Sequence, residues 1–430
     1  MRLKKLVCGI VAAAVSLSML AGCGSEPADG TKEETEMEVN NSAEETVNWV
    51  ATWGAAMLTA GADQTPTKPA LSGSTVRQQI RVSLGGKKLR LVISNEYGAT
   101  DLEIESLKIA KLPDPSSYSA DLSTEAALTV GGEESFTVPA GERVTTDELD
   151  YEFAPLEDLA ITMKLGSAPS TITCHTASRC STWVAEGDHV SDNDFGTYQE
   201  MTAWYFIAEL DTVGYKSSSV VVCLGDSLTD GASVTTNGFS TYPQELARQF
   251  QDDNDLFDIG VINMGIGATA LYAFGGDIAG TNRANRDVLG VPGVKYCVLL
   301  MGINDIGSAQ SDISENIINE YKSIIDRCHK NGITVFGCTL TTMKGNSYYS
   351  ELHEQIRLKV NEFVLSEDSG FDACIDLSSA VASENDPAQM DRQYVSVWND
   401  YLHFNDSGYK YVGQTVFEHI KEYIEKENAK

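Results

Sequence analysis

From Val47 to about Leu210 apolar side chains recur at every second position, the period of strands that turn one face to a core. In Val76-Arg77-Gln78-Gln79-Ile80-Arg81-Val82-Ser83-Leu84 they take the even positions, and Leu89, Leu91 and Ile93 resume the alternation after Gly85-Gly86. A Gly-Gly pair between two such runs predicts a hairpin with a tight primed turn. Further short runs at 102–109, 136–138, 159–165 and 204–210, broken by Gly, Pro and Ser, extend the pattern. Together they predict an all-β sandwich over residues 47–212.

After Tyr215 the period changes. Short, nearly continuous apolar runs at 219–224, 257–262, 295–301, 333–339 and 371–375 have the character of parallel strands buried on both faces. Helical patterns separate them. One starts near Ser311, places Ile313, Ile317, Tyr321, Ile324 and Cys328 on a single face, and stops at Asn331-Gly332. Strand and helix in alternation, with right-handed crossovers, predict a three-layer α/β/α sandwich over 215–430 whose chemistry lies beyond the carboxyl ends of its strands.

The first 46 residues fit neither pattern. Arg2, Lys4 and Lys5 precede the apolar stretch 6–20, and Leu20-Ala21-Gly22-Cys23 follows. A basic start, a short apolar run and small residues read as an export signal over 1–22. The last four residues resemble the bacterial lipobox, which implies cleavage before Cys23 and acylation of that cysteine. Two acyl chains there would supply a stable membrane anchor. Residues 24–46 hold eight acids against one base, Lys32, and too few apolar residues for a core. Such a segment repels itself, so 23–46 is expected to be an extended tether.

The whole chain has 430 residues and a formal net charge of −31. Loss of the leader would leave 28 basic and 62 acidic residues, hence −34. That charge repels phosphate backbones and anionic lipid surfaces, so nucleic acid is excluded as a partner and the membrane is reached through the lipid alone. Of nine cysteines, seven lie beyond Cys23, an odd number that cannot pair completely. Cys223, Cys297, Cys338 and Cys374 sit in apolar runs as buried thiols. Cys174 and Cys180 are open to three readings: a local disulfide, free thiols, or, with His175, part of a metal site whose fourth ligand is missing.

Candidate chemistry gathers at the ends of the parallel strands. The first runs into Gly225-Asp226-Ser227-Leu228-Thr229-Asp230-Gly231, a serine between glycines at a strand tip. There its hydroxyl is exposed and backbone N–H groups face an incoming anion. The pattern is not G-x-S-x-G, so a lipase-type nucleophile elbow is not supported. The second strand leads to Asn263-Met264-Gly265-Ile266-Gly267-Ala268, and the third to Gly302-Ile303-Asn304-Asp305. Near the end comes Asp400-Tyr401-Leu402-His403, followed by Phe404-Asn405-Asp406-Ser407-Gly408-Tyr409.

Those four blocks, in that order, resemble the SGNH or GDSL hydrolases across about residues 218–426. The resemblance implies a flavodoxin-like α/β/α domain and a serine esterase acting without a cofactor or metal. It implies Ser227 as nucleophile, His403 as general base and then acid, and Asp400 as the group that orients the imidazole. Acyl transfer needs those residue types, because serine is a poor nucleophile until an imidazole of the right tautomer accepts its proton. By the same resemblance the oxyanion donors are the N–H of Ser227, the N–H of Ala268 and the side-chain amide of Asn304. The second-block donor is normally glycine, so Gly267 is the substitute for Ala268 if the register moves by one.

Trp49-Val50-Ala51-Thr52-Trp53, Arg77-Gln78-Gln79-Ile80-Arg81, Ser94-Asn95-Glu96-Tyr97-Gly98, Arg286-Asp287-Val288-Leu289 and Pro292-Gly293-Val294 look like the two-domain members of polysaccharide-degradation systems. That implies removal of short acyl groups, acetyl above all, from carbohydrate, by a lipoprotein at the cell surface. A short-chain lipase or lysophospholipase and a non-catalytic glycan-binding lipoprotein are the alternatives. Asp226 and Asp230 also raise a metal-dependent phosphohydrolase; the simpler reading has Asp226 bracing the loop, Asp230 solvated and Asp305 structural. The five histidines besides His403 have no carboxylate at suitable spacing, and His329 and His419 read as surface or packing residues. Trp398 either walls the acyl pocket or packs.

Overall fold

A computed structural model describes residues 47–430, which form one compact unit. The export signal, Cys23 and the tether fall on residues 1–46, outside the described residues. Among the described residues no helix is long and apolar enough to cross a membrane.

The amino-terminal part is rich in antiparallel strands arranged in two main sheets. One runs in the order Tyr198–Met201, Thr182–Glu186, Ser74–Arg81, Asp158–Leu165, Leu102–Lys111, Asp121–Ala127. The other runs Trp49–Gly54, Ile207–Val213, Gly86–Ser94, Arg143–Thr145. Val76, Ile80, Leu89, Leu91, Ile104 and Ile161 meet between them in one core. The even positions of Ser74–Arg81 are inside as the alternation predicts, and so are Arg77 and Gln79. Arg77 is tolerated there because its guanidinium donates to the Thr162 hydroxyl and to the carbonyls of Tyr118 and Val190.

The hairpin expected at Gly85-Gly86 does not form. Ser74–Arg81 pairs with Asp158–Leu165 and Thr182–Glu186, whereas Gly86–Ser94 pairs with Ile207–Val213, so the two strands belong to different sheets. Neither glycine has the positive φ that a primed turn requires. The intervening residues instead cross between sheets, held by the Ser83 N–H on the Thr52 carbonyl and the Leu84 N–H on the Thr52 hydroxyl. Gly85 is small for a packing reason, since a Cβ there would lie 2.7 Å from Pro155.

The carboxyl-terminal part is an α/β fold on a five-stranded parallel sheet in the order Ile259–Gly265, Ser219–Gly225, Val294–Leu300, Thr334–Cys338, Ala373–Ile375. The second strand in the chain begins later than its apolar run, because Phe257 is exposed, and continues to Gly265. Helices Ser314–Lys330 and Glu351–Leu365 cover one face through Ile317, Tyr321, Ile324, Ile356 and Val360. Tyr242–Asp252 and Asp406–Asn428 cover the other through Leu246, Phe250, Val412 and Val416. Strand order reverses beside Ser219–Gly225, which opens a crevice at that strand's carboxyl end.

The two parts share a core. Val50, Ala51, Ala56 and Leu84 pack with Val220, Ile262 and Leu299. The Ala51 N–H donates to the Pro292 carbonyl and the Val261 N–H to the Ser83 hydroxyl. The chain enters this body at the amino ends of the parallel strands, where the Asn48 side chain donates to the Tyr215 carbonyl shortly before Ser219. Cys174 and Cys180 are both buried free thiols, as are Cys223, Cys297, Cys328 and Cys338, and Cys374 is a half-buried one. Burial pushes the Cys174 thiol up to about 12.

Candidate active site

Ser219–Gly225 delivers Ser227 to the crevice through a turn that its sequence dictates. Asp226 caps the single helical turn Ser227–Asp230 by accepting the Leu228 N–H at 3.0 Å, and Gly231 ends it with φ +94°. Gly265, at the tip of the neighbouring strand, has to lack a side chain, because a Cβ there would stand 2.2 Å from the Asp230 nitrogen. The serine turn and the second block are thereby pressed together.

His403 reaches the serine from the far end of the chain. Its Nε2 lies 2.9 Å from the Ser227 Oγ, and its Nδ1 lies 2.6 Å from Asp400 Oδ2. Because an ionised carboxylate can only accept, Nδ1 carries the hydrogen and the Nε2 lone pair faces the serine hydroxyl. The other Asp400 oxygen accepts the N–H groups of Leu402 and His403 and the Ser396 hydroxyl. Burial alone would raise the Asp400 carboxyl, but the His403 hydrogen bond and those backbone N–H groups outweigh it and hold the group well below the usual carboxylate range.

Of the expected oxyanion donors, Asn304 bonds the second-block loop at Thr269, next to Ala268. Neither Gly267 nor Ala268 has a backbone carbonyl partner for its N–H. Ala268 has φ +58°, the left-handed region that glycine occupies freely and alanine at a cost of about 1 kcal/mol, whereas Gly267 does not. The backbone at 268 is thus the one suited to glycine, which favours Ala268 over Gly267 as the position matching the second block. Asn304 donates from Nδ2 to the Thr269 carbonyl at 2.8 Å and accepts the Tyr348 hydroxyl on Oδ1 at 2.9 Å. Asp305 accepts the N–H groups of Leu271, Tyr272 and Ala273, a bracing role for the second-block loop.

Two expectations need correction. Asp230 is not solvated: it is buried, with Oδ1 3.1 Å from His175 Nε2 and Oδ2 2.6 Å from Arg179 Nη2. Burial would raise its carboxyl, yet the Arg179 charge and the His175 hydrogen bond prevail and lower it. Three of the five other histidines do have a carboxylate, His175 with Asp230, His329 with Asp372 at 2.8 Å and His189 with Asp192 at 3.2 Å, whereas His353 and His419 meet backbone carbonyls. The partners of His175 and His329 are far from them in the chain, which spacing within a motif cannot show. Trp398 is 56% exposed and meets His403 edge-on, the ring centroids 5.4 Å apart.

Several supporting residues carry no motif. Tyr348 holds Asn304, and Asn346, two residues earlier, donates to the Asp400 carbonyl at 2.8 Å. Arg283, fully buried beside Asp287, donates to the carbonyls of Gly225 and Met264 and so ties the two strand tips together. The spacing of Arg283 and Asp287, one helical turn apart, is a signal that could have drawn attention to it. No group of three or more His, Cys, Asp or Glu able to hold a metal occurs among the described residues.

Residues 223–411 match the model of the GDSL-like lipase/acylhydrolase family. No curated protein matches the chain. Among solved structures, the lipase/acylhydrolase from Enterococcus faecalis is similar at 18% identity over 47% of this chain and 96% of that one, with a TM-score of 0.38. An acetyl xylan esterase is similar at 21% identity over 46% and 98%, TM-score 0.36. A carbohydrate acetylesterase family member from Sinorhizobium meliloti is similar at 14% identity over 48% and 98%, TM-score 0.36.

Proposed function

We propose that the protein, whose residues 223–411 match the GDSL-like lipase/acylhydrolase family, is a serine esterase that removes short acyl groups, acetyl above all, from carbohydrate. The observation that carries this reading is the relay from Ser227 Oγ to His403 Nε2 at 2.9 Å and from His403 Nδ1 to Asp400 Oδ2 at 2.6 Å. His403 takes the serine proton as Oγ attacks the ester carbonyl carbon. The N–H groups of Ser227 and Ala268 and the second Nδ2 hydrogen of Asn304 receive the oxyanion. His403 then passes its proton to the leaving alcohol, and the acyl-serine remains. Water repeats the sequence from the opposite direction and frees the acid. Each oxyanion donor of this kind is worth about 2.7–4 kcal/mol in the transition state.

Carbohydrate as the alcohol is supported by the sequence resemblance to two-domain hydrolases of polysaccharide degradation and by the acidic composition, which suits a neutral glycan. The same reading places the enzyme outside the cytoplasm, anchored through Cys23. The test is acetate release by residues 24–430 from a panel of acetylated polysaccharides and from long-chain esters. Acetate release that disappears in Ser227→Ala and survives a chelator supports the reading. Preference for long acyl chains would make the protein a lipase, and full activity in Ser227→Ala would remove the serine mechanism.

A further inference from the structure

An ester divides the crevice into an acyl side and an alcohol side, and the general acid decides which is which. His403 has to reach the departing oxygen to protonate it. A side chain that touches the imidazole is one the departing alcohol can meet. Trp398 is that side chain, its ring 5.4 Å from His403 and at 82° to it.

Its exposure sets it apart. Of five tryptophans, the other four are buried or half-buried, while Trp398 is 56% exposed and its neighbour Val397 79%. A large apolar ring left in water in contact with a reactive imidazole is available to a ligand. The turn that presents the ring is rigid. The Asn399 N–H donates to the Ser396 carbonyl, the Ser396 N–H to the His403 carbonyl, and the Ser396 hydroxyl to Asp400. Asn399 and Tyr401, on either side of Asp400, both hold left-handed backbone at φ +54°. Such strain persists where the surroundings over-determine a conformation, and here it ties the orientation of the indole to the orientation of the triad.

We propose that Trp398 is the platform for the alcohol half of the ester, and that this half is a pyranose ring laid with its C–H face on the indole. This rests on the esterase reading above. A rigid aromatic surface contributes contact area at low entropic cost, and a flat ring with apolar C–H groups on one face uses it better than a flexible alkyl chain does.

The experiment compares kcat/KM for a peracetylated methyl glucoside with that for ethyl acetate, whose alcohol is too small to span the indole. In Trp398→Ala the glucoside-to-ethyl-acetate ratio is expected to fall about tenfold, mainly through KM, a loss equivalent to ~1.4 kcal/mol. Trp398→Phe should restore most of it. An unchanged ratio overturns the proposal, as does a change that follows acyl length, acetate against butyrate on one alcohol. A second measurement does not need turnover: calorimetry of the same glucoside with Ser227→Ala and with Ser227→Ala/Trp398→Ala. Weaker binding in the double variant supports the platform, and equal binding overturns it. Should the wild type hydrolyse neither ester, the esterase reading fails by itself while the binding comparison still decides the role of Trp398.

Discussion

The Tyr348 hydroxyl lies 2.9 Å from the Asn304 Oδ1, on the face of the amide opposite the hydrogens that an oxyanion would need. With Oδ1 taken by Tyr348 and one Nδ2 hydrogen by the Thr269 carbonyl, the amide cannot flip, and one donor hydrogen stays free. Tyr348→Phe removes the restraint but not the donor. It should lower kcat about five- to tenfold, near the ~1 kcal/mol of a single hydrogen bond, with a smaller change in KM. Steady-state kinetics on an activated acetate ester would show it.

Asp400 differs from Tyr348 in that its loss changes the tautomer. In Asp400→Asn the amide can still occupy the site and accept the Leu402 and His403 N–H groups, so folding should persist. The imidazole, however, would be free to place its hydrogen on Nε2, facing the serine. A kcat loss of about 10⁴-fold with little change in melting temperature is expected. A loss under tenfold would show that the carboxylate does not set the tautomer.

Much of this site is legible in the order of residues alone, and the reason is local. A parallel strand that ends in a tight turn tends to end in small residues, so Gly225, Gly265 and Gly302 mark the tips, and the candidate residues Ser227, Ala268 and Asn304 follow within three residues. The α/β fold with its parallel sheet is legible for the same reason, through the change from period two to buried runs. What stays hidden depends on tertiary partners. Gly85-Gly86 has turn chemistry but no say in which sheet receives the next strand. Asp230 looks like a surface acid beside a glycine until His175 and Arg179, more than 50 positions earlier, close over it. Tyr348 lies in a loop of no periodicity and acts through a single hydroxyl.

That closure has a measurable consequence. Asp230 stands between two cationic or polar partners of the sandwich, and Arg179 is itself only partly exposed. Asp230→Asn would leave the guanidinium without its counter-charge at a buried junction. We expect a loss of about 3 kcal/mol in chemical denaturation, the lower end for breaking a buried pair because Arg179 keeps some solvent. Unfolding should remain a single transition if the shared core is as continuous as Val50, Leu84 and Ile262 make it.

Asp226 predicts how stability depends on pH. It is fully buried, and burial, helped by nearby Asp305 and opposed by the Leu228 N–H and the His403 and Arg283 charges, pushes its carboxyl up to about 7. A carboxyl whose folded value exceeds its unfolded one favours folding while protonated. That contribution is complete below about pH 4 and is lost as pH rises to about 7, at most ~4 kcal/mol. Asp226→Asn keeps the cap and removes the titration. The wild type should therefore lose more melting temperature than the variant between pH 5 and 8, and parallel curves would refute the assignment.

The place where the chain joins its folded body has a mechanical meaning. Asn48 and Trp49 sit at the amino ends of the parallel strands, away from the tips that bear Ser227 and Asn304. Trp49–Gly54 is held there by its antiparallel ladder to Ile207–Val213, so a disturbance at residues 47–49 meets that ladder first. The loops that hold the serine, the amide and the imidazole take no part in that ladder, so its loosening would not by itself shift them.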